Sequence, residues 1–309
     1  MITVSECQHS PFGTCVLLTN GVIELMVSVE AGPRLLHVSF CGQSNVLYED
    51  PTDQHVFLNK TLTQFTGQPA YHHLYGGHRL YLSPAHLPQA RYPDNAPVVY
   101  TPQPTGALFT APVQKNTGIQ LSMQLLLNEA TPDFMVIHTA QNQADQPQSA
   151  ALCTTTMVKG GGFAVLPQNQ GSAFFVPDRV YTYWPFTRVQ DPRFVMHPAF
   201  MTIQHNAALP YSFKMGYNNT SGLLAYANNG TVLTKRYLHD PAALYPDHDS
   251  SSQIYCNKHF LELTVQSPLY RITAGETVKH VENFALYRTN VTKPPTTEPD
   301  YQSFLNALI

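Results

Sequence analysis

In residues 118–127, GIQLSMQLLL, apolar side chains recur at every second position. Ile119, Leu121, Met123 and Leu125 fall on one face, and Gln120, Ser122 and Gln124 on the other. A period of two belongs to an extended strand with one buried face, because successive side chains point to opposite sides of the chain. Related runs, some alternating and some more continuously apolar, occupy 22–29, 134–139, 151–158, 200–205, 223–227, 260–265 and 278–287. Each is bounded by Gly, Pro, Asn or Asp, the residues that turn a chain back on itself. Helical spacing is confined to the C-terminal EPDYQSFLNALI, where Asp300 reads as a cap ahead of Phe304, Leu305 and Leu308. The pattern predicts an all-β fold: a large antiparallel β-sandwich closed by one short terminal helix.

At 309 residues the chain is long for one domain. All-β sandwiches nevertheless reach this size as single units, and no repeat or low-complexity linker divides the sequence, so residues 1–309 are read as one domain. Charged residues make up 12%, against roughly a quarter in an ordinary protein. Gln, Asn, Thr, Ser, His and Tyr take their place and predict a neutral, hydrogen-bonding surface. A net charge of −3 without any basic block argues against a nucleic-acid partner. No apolar run is long enough to span a bilayer, and no export signal opens the chain. Five cysteines without a CxxC pair fit a reduced cytoplasm better than a disulfide framework.

Residues 75–97, YGGHRLYLSPAHLPQARYPDNAP, stand out from the strands around them. Two glycines permit close backbone approach, while His78, Arg79, Tyr81, His86, Arg91, Tyr92 and Asp94 offer hydrogen bonds and aromatic faces. That chemistry suits the wall of a polyol site. A curved sheet in a sandwich presents a concave outer face lined by alternate side chains, a trough suited to such a wall.

The segments EAGPRLL (from Glu30), NVLY (from Asn45) and YGGHRLY (from Tyr75) resemble the opening of galactose-mutarotase-like (aldose 1-epimerase) proteins. VYTYWPFT, KMGY, LTKRY, YPDHD and HFLELT follow in matching order along most of the chain. The resemblance implies a β-supersandwich and a small-molecule sugar or oligosaccharide ligand. It also implies acid–base anomer interconversion, in which one group removes the anomeric hydroxyl proton and another protonates the ring oxygen. By the same resemblance Glu262, on a late strand, is the base. Between Leu261 and Leu263 it reads equally well as a solvent-facing strand residue. His78 is the favoured acid, with His72, His73, His248 and His259 as alternatives. Arg79 would hold sugar hydroxyls or form an ion pair, and Tyr81 would join it. Trp184, the only tryptophan, would stack on a pyranose face or pack in the interior. Lys235, Asp247 and His259 complete the expected binding set.

Two departures from the resemblance point the other way. Thr264 stands where a second acidic residue is implied, and Ala85 follows Pro84 where a glutamate is implied. A carbohydrate-recognition protein without a working acid–base pair therefore remains the alternative, and a lyase or hydrolase acting on a uronic glycan is a third reading. No cofactor or metal is expected: a site drawn from His239, Asp247, His248 and Asp249 lacks organising ligand spacing. There is no nucleophile elbow and no phosphate-cradling loop.

Overall fold

The alternation in residues 118–127 becomes a strand, Ile119–Leu127, in which Ile119, Leu121, Met123, Leu125 and Leu127 are buried and the residues between them are not. The computed structural model describes residues 1–85, 92–171 and 175–308, so His86 and Arg91 lie outside the described residues. The other apolar runs form Ile23–Ser28, Asp133–Asn142, Gln148–Lys159, Phe200–Gln204, Leu223–Asn228, Phe260–Gln266 and Thr277–Arg288.

Two large antiparallel sheets result. The first runs Thr3–His9, Gly13–Thr19, Ile23–Ser28, Arg34–Phe40, His78–Ser83, Gln148–Lys159, Phe260–Gln266, Ser252–Cys256, Phe213–Tyr217 and Tyr181–Tyr183, with Tyr270–Ile272 added beside Gln148–Lys159. The second runs Phe194–Met196, Phe200–Gln204, Phe163–Pro167, Leu223–Asn228, Thr231–Tyr237, Thr277–Arg288, Asp133–Asn142, Ile119–Leu127, Gly106–Thr110 and Val99–Gln103. Inward-facing Leu261, Leu263 and Val265 of the first sheet share one core with Leu233, Phe284 and Leu286 of the second.

The terminal helix is Glu298–Asn306, and its cap corrects the sequence reading. Thr297 is the capping residue. Its hydroxyl accepts from the Asp300 backbone N–H, while the Asp300 carboxylate accepts from the Thr297 N–H. Tyr301 and Phe304 bury against Phe200 and Phe163, which fastens the helix to the second sheet. A further helix, Lys60–Thr66, was not foreseen. It joins the small two-stranded sheet Val56–Leu58 and Tyr71–His73 and is short, with Leu62 its buried contact. No helix among the described residues is long and apolar enough to cross a membrane.

Strand register decides what the outer face of the first sheet carries. Arg79 lies opposite Thr155, Thr155 opposite Thr264, and Thr264 opposite Gln253. In the adjoining row Met157 faces Glu262, Glu262 faces Tyr255, and Tyr255 faces Lys214. Directly opposed residues share a face, so five strands assemble one polar surface. Gly76 and Gly77, both at positive φ, let the chain enter this layer. A Cβ on either would run into the carbonyl of Tyr48 or Leu35.

Candidate functional site

Over these rows the outer face is hollowed into a cleft of about 620 Å³, within the range of roughly 300–1,000 Å³ usual for small-molecule sites. Arg79, Tyr81, Thr155, Gln253 and Glu262 line it from the large sheet, Phe57 from the small two-stranded sheet, and Trp184, Phe186 and Tyr211 from the surrounding loops. Phe57 and Phe186 leave 56% and 50% of their surface to water. Exposed rings around a polar floor offer flat apolar faces and hydrogen bonds together, the pairing that a pyranose presents in return.

Of the residues expected from sequence, Glu262, Arg79, Tyr81, Trp184 and Asp247 line this one cleft, and so do His72 and His73, two of the alternative acids. Arg79 donates from Nη1 to Asp94 Oδ1 (3.1 Å) and lies over the Tyr81 ring at 5.4 Å. Burial acts to lower its pKa, but Asp94, Tyr81 and Glu262 together raise it, so the guanidinium stays charged. Asp94 also pairs with Arg34. Burial alone would raise the Asp94 carboxyl, and the two guanidiniums instead hold it below its usual value. Burial pushes the Tyr81 hydroxyl well up and the neighbouring Cys153 thiol to about 12, so neither supplies an anion at neutral pH. Lys214 Nζ sits 4.1 Å from the Trp184 ring centroid, a cation–π contact at the cleft edge.

Asp247 reaches the cleft by an unusual backbone. Asp247, His248 and Asp249 are successive residues at positive φ (54°, 58° and 65°), a left-handed turn rather than the extended segment its sequence suggests. Ser250 Oγ and Thr182 Oγ1 donate to the Asp247 carbonyl, and its carboxylate accepts from Gln253 Nε2 at 2.7 Å.

Three expectations are corrected. His78 is wholly buried and faces the space between the sheets, because it precedes Arg79 on one strand and neighbouring strand residues point to opposite faces. Its ring bonds Thr156 Oγ1 and, through Nε2, His138 Nε2 at 2.8 Å. Lys235 is buried in the same interior cluster, 3.1 Å from Glu282 Oε1 and donating to Thr154 and Thr156. Its sequence neighbour Arg236 is exposed on the outside of the second sheet, so neither cation enters the cleft. His259 stands outside the lining, edge-on to His55 with ring centroids 4.8 Å apart.

The interior cluster has a metal-like donor set, His78, His138 and Glu282, whose ligand atoms lie within 4.8 Å of one another. Its charge is already balanced. Burial lowers both imidazoles and keeps them neutral. Burial would also raise Glu282, but Lys235 and the imidazole donors hold it well below its usual value as a carboxylate. A divalent ion beside the Lys235 ammonium would leave buried charge uncompensated.

Sequence reasoning missed His55. It lines the cleft, and its Nδ1 lies 2.9 Å from Oδ2 of Asp50, which is buried and also accepts from the His55 and Gln54 backbone N–H groups. A carboxylate only accepts, so Nδ1 carries the hydrogen and Nε2 is left as the nitrogen that exchanges a proton. A buried acid orienting an imidazole at a cleft is the arrangement of a general acid–base.

Neither the family models nor the curated proteins compared with the sequence give a match. Solved structures do. A TPR-domain containing protein from Parabacteroides distasonis superposes with a TM-score of 0.60 at 12% identity, over 92% of this chain and 49% of that one, so the chain spans about half its length. A galactose mutarotase-like protein from Lactobacillus casei gives a TM-score of 0.56 at 11% identity, over 88% of this chain and 100% of that one. A galactose mutarotase related enzyme from Lactobacillus acidophilus gives 0.52 at 9% identity, over 91% and 100%. The fold is galactose-mutarotase-like. At such identities the likeness carries the architecture alone, and the chemistry rests on this chain's own side chains.

Within the mutarotase-like sandwich both departures noted in the sequence fall at the cleft. Ala85 lines it. Thr264 lies on its floor strand, with its Oγ1 3.0 Å from Thr155 Oγ1, which also donates to the Tyr81 hydroxyl.

Proposed function

We propose that the cleft binds a sugar and interconverts its anomers by proton transfer. Glu262 removes the anomeric hydroxyl proton, and His55, held by Asp50, protonates the ring oxygen so that the ring opens, rotates about the C1–C2 bond and recloses. Arg79 and Asp247 hold hydroxyls, and Trp184 covers an apolar face of the ring. The observation that carries this reading is the presence of Glu262 and an Asp-oriented imidazole in one aromatic-rimmed cleft. Groups placed this way each contribute a factor of about 10²–10⁴ when their protonation suits the working pH.

The test is anomer exchange followed by magnetisation-transfer NMR on free glucose, galactose, mannose and their 6-phosphates. Acceleration over buffer with at least one sugar is expected, and none with any of them overturns the catalytic claim. A second reading, recognition without turnover, draws support from the Thr155–Thr264 pair and Ala85. Calorimetric binding of one of these sugars without acceleration would select it.

A further inference from the structure

The strand Phe260–Gln266 divides the cleft by polarity. Alternate strand residues share a face, so Phe260, Glu262, Thr264 and Gln266 point outward together, and Glu262 stands at the boundary between two halves. On the Gln266 side the surface is polar. Arg79, Thr155, Thr264 and Gln253 form one cross-strand row, and the Asp247 carboxylate accepts from both Gln253 (2.7 Å) and Gln266 (3.3 Å). On the Phe260 side it is apolar. Met157 stands directly opposite Glu262, and the Phe260 ring lies 6.2 Å from that of His55. Phe57 follows His55 by two residues, and Leu74 donates its N–H to the His55 carbonyl at 3.1 Å; all four apolar side chains line the cleft. The polar side chains on this side are bonded within the protein. Asn257 Oδ1 accepts from the N–H groups of His259 and Phe260, Asn59 Nδ2 lies 3.3 Å from His72 Nε2, and Asp53 Oδ2 lies 2.8 Å from His73 Nδ1.

The direction of the ring follows from the two proton-transfer roles. Glu262 takes the anomeric hydroxyl on C1, and His55 takes the ring oxygen, which joins C1 to C5. C5 and its substituent therefore lie on the His55 side, over Phe260 and against Phe57 and Leu74. The hydroxyls on C2, C3 and C4 lie toward Arg79, Gln253 and Asp247. A hydroxyl on C6 would enter the apolar half and give up water without gaining a partner, whereas a methyl group or a hydrogen there loses nothing.

We infer that the cleft selects aldoses without a hydroxyl or phosphate on C6, namely 6-deoxyhexoses and aldopentoses in the pyranose form, a selection that rests on the proton-transfer reading of Glu262 and His55. An apolar pocket discriminates against one added hydroxyl by about tenfold to a hundredfold.

Magnetisation-transfer NMR on the intact protein tests it with two matched series, D-galactose against D-fucose, and D-glucose against 6-deoxy-D-glucose and D-xylose. In both series kcat/KM, taken over each sugar's own rate in buffer, should be tenfold or more higher for the sugar without a 6-hydroxyl. Phe57→Asn and Leu74→Asn each place an amide beside C6, and at least one of them should bring that ratio toward one. Parity or a preference for the hexose in either series overturns the selection alone, as does a deoxy-sugar preference that both variants leave in place. Absence of acceleration with all five sugars overturns the proton-transfer reading and the selection with it.

Discussion

Replacing Lys235 with methionine tests whether the interior cluster is structure or function. The substitution removes an ammonium 3.1 Å from Glu282 Oε1, together with its hydrogen bonds to Thr154 and Thr156, and leaves the carboxylate beside His78 and His138, which burial keeps neutral. Taking one partner from a buried pair costs about 3–5 kcal/mol at neutral pH, because the remaining charge has lost its compensation. For a chain this long that is a fall in Tm of roughly 6–10 °C. Its pH dependence has a definite sign. In the native protein Glu282 is held well below its ordinary value, so its contribution is present above the unfolded carboxylate range and is lost as pH falls through the lowered folded value. Without Lys235 the strongest charge opposing burial is gone, the folded pKa rises, and the carboxyl can take up a proton instead. The deficit of the variant should therefore shrink between pH 7 and pH 4.5. Lys235→Met/Glu282→Gln removes both charges while keeping an acceptor for Thr154, and should recover most of the loss. Urea unfolding of the three proteins across that pH range reads these quantities, with anomer exchange measured on each folded variant. A single variant within about 1 kcal/mol of wild type would refute the buried ion pair. A folded double variant that loses sugar turnover by more than tenfold would refute the separation of this cluster from the cleft.

Other substitutions report on the cleft. Glu262→Gln should lower kcat for anomer exchange by about 10²–10⁴ while calorimetry still detects sugar binding. Asp50→Asn should depress kcat over a similar range, because an amide no longer enforces hydrogen on His55 Nδ1, as anomer-exchange kinetics would read. Asp247→Asn tolerates the left-handed backbone yet removes the charge at the cleft, so KM should rise several-fold with Tm within a few degrees of wild type. Asp94 is held below its ordinary pKa by Arg34 and Arg79, so it stabilises the fold above the unfolded carboxylate range and loses that contribution as pH falls through its folded value. Denaturant midpoints of wild type and Asp94→Asn should accordingly converge on acidification from pH 6 to pH 3.

The strands were legible because their information is local. A one-residue slip in Ile119–Leu127 would turn five apolar side chains out of the core, so the period alone selects the structure. The terminal helix was legible for the same reason, although its cap was displaced: Asp300 satisfies the chain from the third helical position and Thr297 from the first flanking one, two roles that one short motif encodes together. The helix Lys60–Thr66 carries too little periodicity in its seven residues to be seen. Pairing of His78 with Arg79 as joint site residues failed on a local rule as well. On a strand they cannot share a face, and the same rule separates Lys235 from Arg236.

What no local rule could supply is the meeting of residues from distant turns, and the two most informative features of the cleft are of that kind. His55 is joined to Asp50 through a loop of irregular backbone, where sequence spacing carries no direction for either side chain. Asp247 depends on three consecutive left-handed residues, each costing roughly 1–2 kcal/mol outside glycine, which a reading of Tyr-Pro-Asp-His-Asp as extended chain does not anticipate. Such a turn persists only if its surroundings over-determine it, and here Ser250, Thr182, Gln253 and Gln266 all bond Asp247. This costly backbone conformation is fixed from several strands and ends in a carboxylate that lines the cleft, so the strain is held where the proposed ligand contact lies.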